Sequence, residues 1–298
     1  MHTDFHEDRL HDYTDDELAR YIVASPRIEP ISSVFLLSRN LLAKHYKPPL
    51  AEDTVKAIEN ALQLGIPAPR IQRVVQYNGN AYCIIDRIQG TTLEAMWTKL
   101  GWLATANLAL QLRRSIHLMR SITSTTAGSL ATGECRSFWL EDRYGLPARA
   151  SPKDITYFIR FWAGFISIRT AMKAATQGSV NSKCRIPSRV DTLVFTHHDL
   201  APRNILLDPS GRLWLIDWDY AGFYPIFFEY ASIHNFHIPQ NWGFFARLRW
   251  NLFVWAAAGR YRREASVLEQ IRWKFTRWPV GRRFELLQNG GPSRRPAS

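Results

Sequence analysis

Between Phe195 and Gly222 the chain reads FTHHDLAPRNILLDPSGRLWLIDWDYAG, which sets two histidines, four aspartates and one asparagine among apolar residues. Such a segment can ligate a metal that activates water, build a phosphoryl-transfer site, or simply turn between strands. Phosphoryl transfer asks little covalent chemistry of a protein. It needs metal ions across the phosphates, a cation on them, and a carboxylate to position the attacking hydroxyl. Each part has a candidate. Asp199 follows the strand-like run Thr192 to Thr196 and stands five positions before Asn204, so one loop can aim both at one centre. Asp217 ends the run Leu213 to Ile216 and offers the carboxylate oxygen that magnesium prefers. Lys44, in LLAKHY, is the lysine inside the first apolar strands, and an inward strand lysine calls for a carboxylate partner.

Simpler roles stand beside these. Lys44 can be an edge-strand lysine that blocks aggregation. Asp219 can serve a metal, serve a substrate amine, or cap a turn. A lone histidine such as His117 or His234 is more often an ordinary core or surface residue than a ligand. Glu229, flanked by aromatics, reads as a buried acid paired with an arginine. Trp139, Phe223, Tyr224, Phe227 and Trp242 read as core, with room for some of them in an acceptor pocket. The letters HHD also occur in metal-dependent phosphohydrolases, but LVFTHHD is strand-like and no further His/Asp pair at helical spacing completes a metal cluster. The HHxxxDG pattern of acyl-transferring enzymes fails because Pro202 and Arg203 occupy the Asp-Gly places.

The elements that would position these residues come in a telling order. TDDELARYIVA, Thr14 to Ala24, carries an N-cap threonine and early acids, a short helix. SVFLLSRNLLAKHY, Ser33 to Tyr46, gives two apolar runs broken by Ser38, Arg39 and Asn40, a hairpin. Ala51 to Gly65 has helical spacing at Val55, Ile58 and Leu62, and two further strands follow around Asn78-Gly79. From Gly90 onward the pattern is mostly helical, at Leu103 to Ile122, Ile155 to Ala174 and Trp242 to Trp278, with the acid-rich hairpin between the last two. The fold class this predicts is α+β: two lobes laid out like a protein kinase, a small antiparallel sheet plus helix first and a larger, mainly helical lobe second. Expected bounds are 1–87 for the first lobe, 88–286 for the second, and a disordered tail over 287–298.

Composition limits the partners. At 298 residues and 46% hydrophobic the chain can bury a substantial core. No apolar run approaches the roughly 20 residues of a membrane span, and the acidic N-terminus lacks the features of a secretory signal. A cytoplasmic protein without membrane attachment is expected. Cys83, Cys135 and Cys184 are far apart and form no CxxC pair, so they read as incidental thiols. The net charge of +12 gathers late, from Arg247 to Arg295, interleaved with Trp250, Trp273 and Trp278. Single-strand nucleic-acid binders show that texture, yet an arginine-rich polar face on a helical pair explains it too, and nucleic acid is not the expected partner. Sequence gives no oligomeric state.

HHDLAPRN followed by LIDWDYAG resembles the catalytic and metal loops of the aminoglycoside phosphotransferase family, relatives of choline kinase and distant relatives of protein kinases. IPAPR, IQGTTLEAMW and FYPIFFEYAS are similar to segments of its fungal members, so the likeness runs from about Val34 to about Ile233. The resemblance implies an ATP- and Mg2+-dependent transfer of the γ-phosphate to a hydroxyl of a small molecule. It implies that His197 orients the catalytic loop, Asp199 is the catalytic base, and Asn204 and Asp217 hold magnesium. It places Lys44 on the ATP phosphates and Asp86, Arg87 and Ile88 at the hinge beside adenine. Members pair the lysine with a glutamate of the first-lobe helix, here Glu52 or Glu59, with Glu52 preferred. Two departures stand out: His198 replaces the glycine most members carry, where its bulk would alter the loop or touch the acceptor, and the nucleotide-covering turn within Ile31 to Asn40 has no glycine. DFG, APE and the HRDLK lysine of protein kinases are absent. A family member that binds nucleotide or a partner without transferring phosphate remains the alternative.

Overall fold

The structure, a computed structural model, describes residues 5–29, 33–141, 145–165 and 190–277. Strands β1 (Val34–Leu36), β2 (Leu41–Tyr46), β3 (Ile71–Tyr77) and β4 (Asn80–Asp86) form one antiparallel sheet in the order β1-β2-β4-β3. Register pairs Val34 with Lys44 and Lys44 with Cys83. The predicted hairpin over Ser33 to Tyr46 is therefore present, and Asn78 and Gly79, both at positive φ, turn β3 into β4. Helix α1 (Asp15–Ala24) starts on a capping box made by Thr14 and Glu17. Helix α2 (Pro48–Gln63) starts three residues earlier than the apolar spacing suggests, because Pro48 and Pro49 occupy its first turn, where their missing N–H groups cost nothing.

The two helices take opposite faces of the sheet. Leu18, Ala19 and Ile22 of α1 pack with Leu41, Ala43, Val75 and Ile84, while Ala51 of α2 packs with Tyr46, Ala81 and Cys83. Successive strand residues alternate between the faces. On β2 this sends Leu41 and Ala43 toward α1 and leaves Leu42, Lys44 and Tyr46 on the other side, where they line a cavity. The pleat thus aims Lys44 inward.

The second part of the chain is built on helices α4 (Trp102–Arg120), α5 (Pro152–Gly164), α6 (Phe228–Ile233), α7 (Phe244–Ala258) and α8 (Arg262–Arg277). A short helix α3 (Leu93–Met96) precedes them. Two small antiparallel sheets join them: β5 (Thr91–Thr92), β8 (Ile205–Leu207) and β9 (Leu213–Leu215) in the order β5-β8-β9, and β6 (Thr123–Ser124), β7 (Leu193–Thr196) and β10 (Gly222–Pro225) in the order β10-β7-β6. The mixed α+β architecture agrees with the expected class. Sequence periodicity from Trp242 to Trp278 runs on without a visible break, whereas the chain breaks at Gly259, whose φ of 101° ends α7. The helix expected over Ile155 to Ala174 ends at Gly164, where Phe165 is extended; the rest of that run, Cys184, Trp278 and the tail Gln288 to Ser298 lie outside the described residues.

Among the described residues, four of the late basic side chains are engaged within the fold. Arg249 bonds the Trp97 carbonyl, Arg247 the Trp242 carbonyl at 2.9 Å, Lys274 the Ala163 carbonyl at 2.7 Å, and Arg272 the Asn235 side chain. Trp250 is core, edge-on to Trp97 with ring centres 5.0 Å apart. Among the described residues no helix is long and apolar enough to cross a membrane.

Candidate active site

A cavity of about 220 Å3 opens between the first sheet and the β8–β9 hairpin. Ile28, Val34, Leu42, Ile71, Ile85 and Ile88 give it apolar walls, and Lys44, Asn204 and Asp217 give it a polar end. Residues 26–28 pair with 34–36 beside it; part of the glycine-free segment Ile31 to Asn40 lies outside the described residues. Asp86 and Ile88 line the same cavity. The Asp86 carboxylate is held by Gln72 Nε2 at 2.6 Å, and the Arg87 N–H donates to the Asn40 carbonyl at 2.7 Å, which fixes the strand end.

The loop after β7 carries the acids. Asp199 is buried and Asn204 donates its amide Nδ2 both to the Asp199 carbonyl and to its carboxylate, each at 2.9 Å. Arg203 grips the same carboxylate, with Nη2 at 3.0 and 2.7 Å from its two oxygens. Burial pushes the Asp199 carboxyl up to about 6; Arg203 opposes the rise and Asp217 adds to it. Near neutral pH the group is still ionised and is basic enough to take a proton. Sequence reasoning passed over Arg203, although its place four residues after Asp199 was a readable signal.

His197 acts through its partners. Its Nε2 donates to the Ile216 carbonyl at 3.0 Å, and its Nδ1 accepts the Asp199 N–H at 3.3 Å, an assignment of the ring proton that follows from those partners. The ring lies 4.4 Å from that of Trp218, and burial lowers its pKa to about 4, so it stays neutral. It ties the Asp199 loop to the Asp217 loop. Beneath it Glu229 accepts the N–H groups of His197 at 2.7 Å and of His198 at 3.2 Å. The arginine partner expected for Glu229 is replaced by loop backbone. Arg120, the nearest candidate, bonds the carbonyls of Ile226 and Ala258 instead.

His198 sits at φ 66°, the left-handed region that favours glycine. Its ring turns away from the cavity, 2.8 Å from Ser137 Oγ and 3.3 Å from Ser232 Oγ, stacked on Tyr224. These contacts offset the backbone cost. Asp217 shares the same φ of 66°.

Lys44 Nζ contacts Asp217 and lies 2.7 Å from Asp219. Burial raises the Asp217 carboxyl, but the lysine outweighs it and holds the group below its ordinary value. The glutamate partner expected on α2 is not there. Glu52 is 63% exposed and 3.5 Å from Lys56, and Glu59 is exposed as well. Helix α2 instead turns Thr54 and Ile58 to the cavity. The acid on α2 that points inward is Asp53, and it binds elsewhere. It accepts from the Ala131 and Thr132 N–H groups at 2.7 and 2.9 Å, from the Thr132 hydroxyl at 2.7 Å and from Arg136 at 2.5 Å. That receiving turn depends on Gly128, where a Cβ would stand 2.0 Å from the Gly133 carbonyl oxygen.

Residues 32–268 match the model of the phosphotransferase enzyme family, most of the chain. The chain belongs to that family. Its phosphotransferase fold is also that of the streptomycin-ATP-APH(2″)-IIa ternary complex, at a TM-score of 0.50 and 14% identity over 97% of this chain and 95% of that one. Further matches fall just below that level. Aminoglycoside phosphotransferase APH(3″)-Id from Streptomyces rimosus has a TM-score of 0.47 and 15% identity over 88% of this chain and 100% of its own. A choline/ethanolamine kinase family protein from Mesorhizobium loti has 0.45 and 16% over 92% and 91%. A search of curated proteins by sequence finds no match. Identities this low establish the fold, while the family match and the loop geometry bear on the chemistry.

Proposed function

We propose that this phosphotransferase moves the γ-phosphoryl group of ATP to a hydroxyl of a small molecule. The observation that carries the proposal is the meeting of Lys44, Asn204 and Asp217 at the polar end of one apolar-walled cavity, with the Asp199 carboxylate joined to Asn204 at 2.9 Å. Adenine would lie between the strand residues, beside the Asp86–Ile88 segment. Lys44 would face the phosphates. The acceptor oxygen attacks the γ-phosphorus, the bond to the β-phosphate oxygen breaks, ADP leaves, and the acceptor proton passes to Asp199. Arg203 would hold the carboxylate in line until the acceptor arrives.

The donor set fits magnesium. Asn204 commits its Nδ2 to Asp199, which leaves its carbonyl oxygen as the ligand, and Asp217 adds a carboxylate. Among the described residues no three His, Cys, Asp or Glu side chains converge on one point. Mg2+ in kinases is held by one or two carboxylates plus substrate phosphates, so a sparse protein set is what it requires. When bound, the ion would neutralise charge between the β- and γ-phosphates. An ATP-dependent reaction of this kind fits the cytoplasm.

The acceptor class follows from charge. The complexes of related structures hold streptomycin and gentamicin, and such polycations are repelled by a chain of net charge +12. A neutral or anionic hydroxyl compound, such as a secondary metabolite, is the better acceptor. ADP release from ATP and magnesium should rise with neutral or anionic hydroxyl compounds and not with aminoglycosides. Phosphorylation confined to polycationic antibiotics would contradict the assignment.

A further inference from the structure

Both carboxylates that meet Lys44 come from one loop. While one oxygen of Asp219 lies 2.7 Å from Lys44 Nζ, the other accepts the Tyr46 hydroxyl at 2.7 Å and lies 3.5 Å from Thr54 Oγ1. Tyr46 stands two residues beyond Lys44 on β2, so the pleat puts both on the same face. The Asp219 carboxylate is thereby fixed by the strand lysine and the strand tyrosine, since the Thr54 hydroxyl donates its one proton to the Leu50 carbonyl at 2.9 Å.

A lysine that receives phosphate needs a partner that remains when the ligand arrives. Asp217 is a weaker partner once it shares its carboxylate with a metal. An ammonium group left without an anion in so closed a site would not be held in place. Helix α2 supplies no acid to prevent this, since Glu52 and Glu59 face outward. We infer that Asp219 is the positioning residue for Lys44, holding the ammonium on the phosphates while Asp217 passes to the metal. The inference rests on the phosphotransferase reading above. It makes the lysine's position a property of the β9–β10 loop, whereas helix α2 is tied to the second part of the chain separately, through Asp53.

The test is calorimetric binding of ATP with magnesium, and of adenosine, to wild type, Asp219→Asn, Asp219→Glu and Tyr46→Phe. Asp219→Asn should weaken ATP by about tenfold to a hundredfold, the range of a hydrogen bond to a charged group, and leave adenosine unchanged. Asp219→Glu should keep most of the affinity, and Tyr46→Phe should lose a part of it. Should Asp219→Asn fail to fold, Tyr46→Phe carries the test alone. Unchanged ATP affinity in the folded variants would overturn the assignment. So would an equal loss for adenosine, which marks a merely structural role. A loss that excess magnesium restores would make Asp219 a metal ligand instead. Wild type that binds no ATP at all would refute the phosphotransferase reading itself, and this inference with it.

Discussion

Asp199→Asn is expected to lower turnover with a competent acceptor by about 100- to 10,000-fold, the usual contribution of a positioned general base. ATP affinity should stay close to wild type, because the lost proton acceptor serves the hydroxyl and not the nucleotide. The substitution is geometrically mild. An amide oxygen at this place can still accept from Asn204 Nδ2 and from Arg203, the two groups that hold the carboxylate at 2.9 Å and at 2.7 to 3.0 Å. Steady-state kinetics with a ternary titration separates the two effects. Retention of most of the activity would place the base elsewhere.

Asp53→Ala should produce the largest loss of stability, about 3 to 5 kcal/mol, the cost of breaking a buried ion pair from one side. The side chain is almost fully enclosed, at 1% exposure, and its removal strands two backbone N–H groups, a hydroxyl and Arg136. Burial acts to raise this carboxyl, yet its bonds to Thr132 and Ala131 outweigh burial and keep it below its ordinary value. Arg136 retains Glu134 at 3.2 Å, which favours the lower end of the range. Chemical denaturation of wild type and variant measures the difference. A loss below about 1 kcal/mol would mean that α2 is held by its apolar face alone.

What could be read in the sequence was what is local. The order of Asp199, Asn204 and Asp217 stands on short loops between short strands, and spacing along the chain fixed their convergence. The alternation along LLAKHY was enough to turn Lys44 inward. The partner of Lys44 was not legible, because it depends on which face α2 presents to the sheet and on a residue 175 positions away. Glu52 looked suitable by position before the helix body, yet the apolar residues Ala51, Ala57, Ile58 and Ala61 rotate it to solvent. Glu229 was recognised as buried, but backbone partners leave no mark in composition. The bulk of His198 suggested an altered loop or a contact with the acceptor, and the positive φ and the two serines that seat its ring leave no mark in the sequence.

The most direct measurement is thermal unfolding of wild type and Asp217→Asn, each with and without ATP and magnesium. A ligand at about 100 times its dissociation constant adds roughly 2.7 kcal/mol to stability. Wild type should therefore unfold several degrees higher with both together and not with ATP alone, and the shift should fade in Asp217→Asn. No shift in wild type at millimolar ATP and magnesium would contradict the assignment of this cavity to phosphoryl transfer.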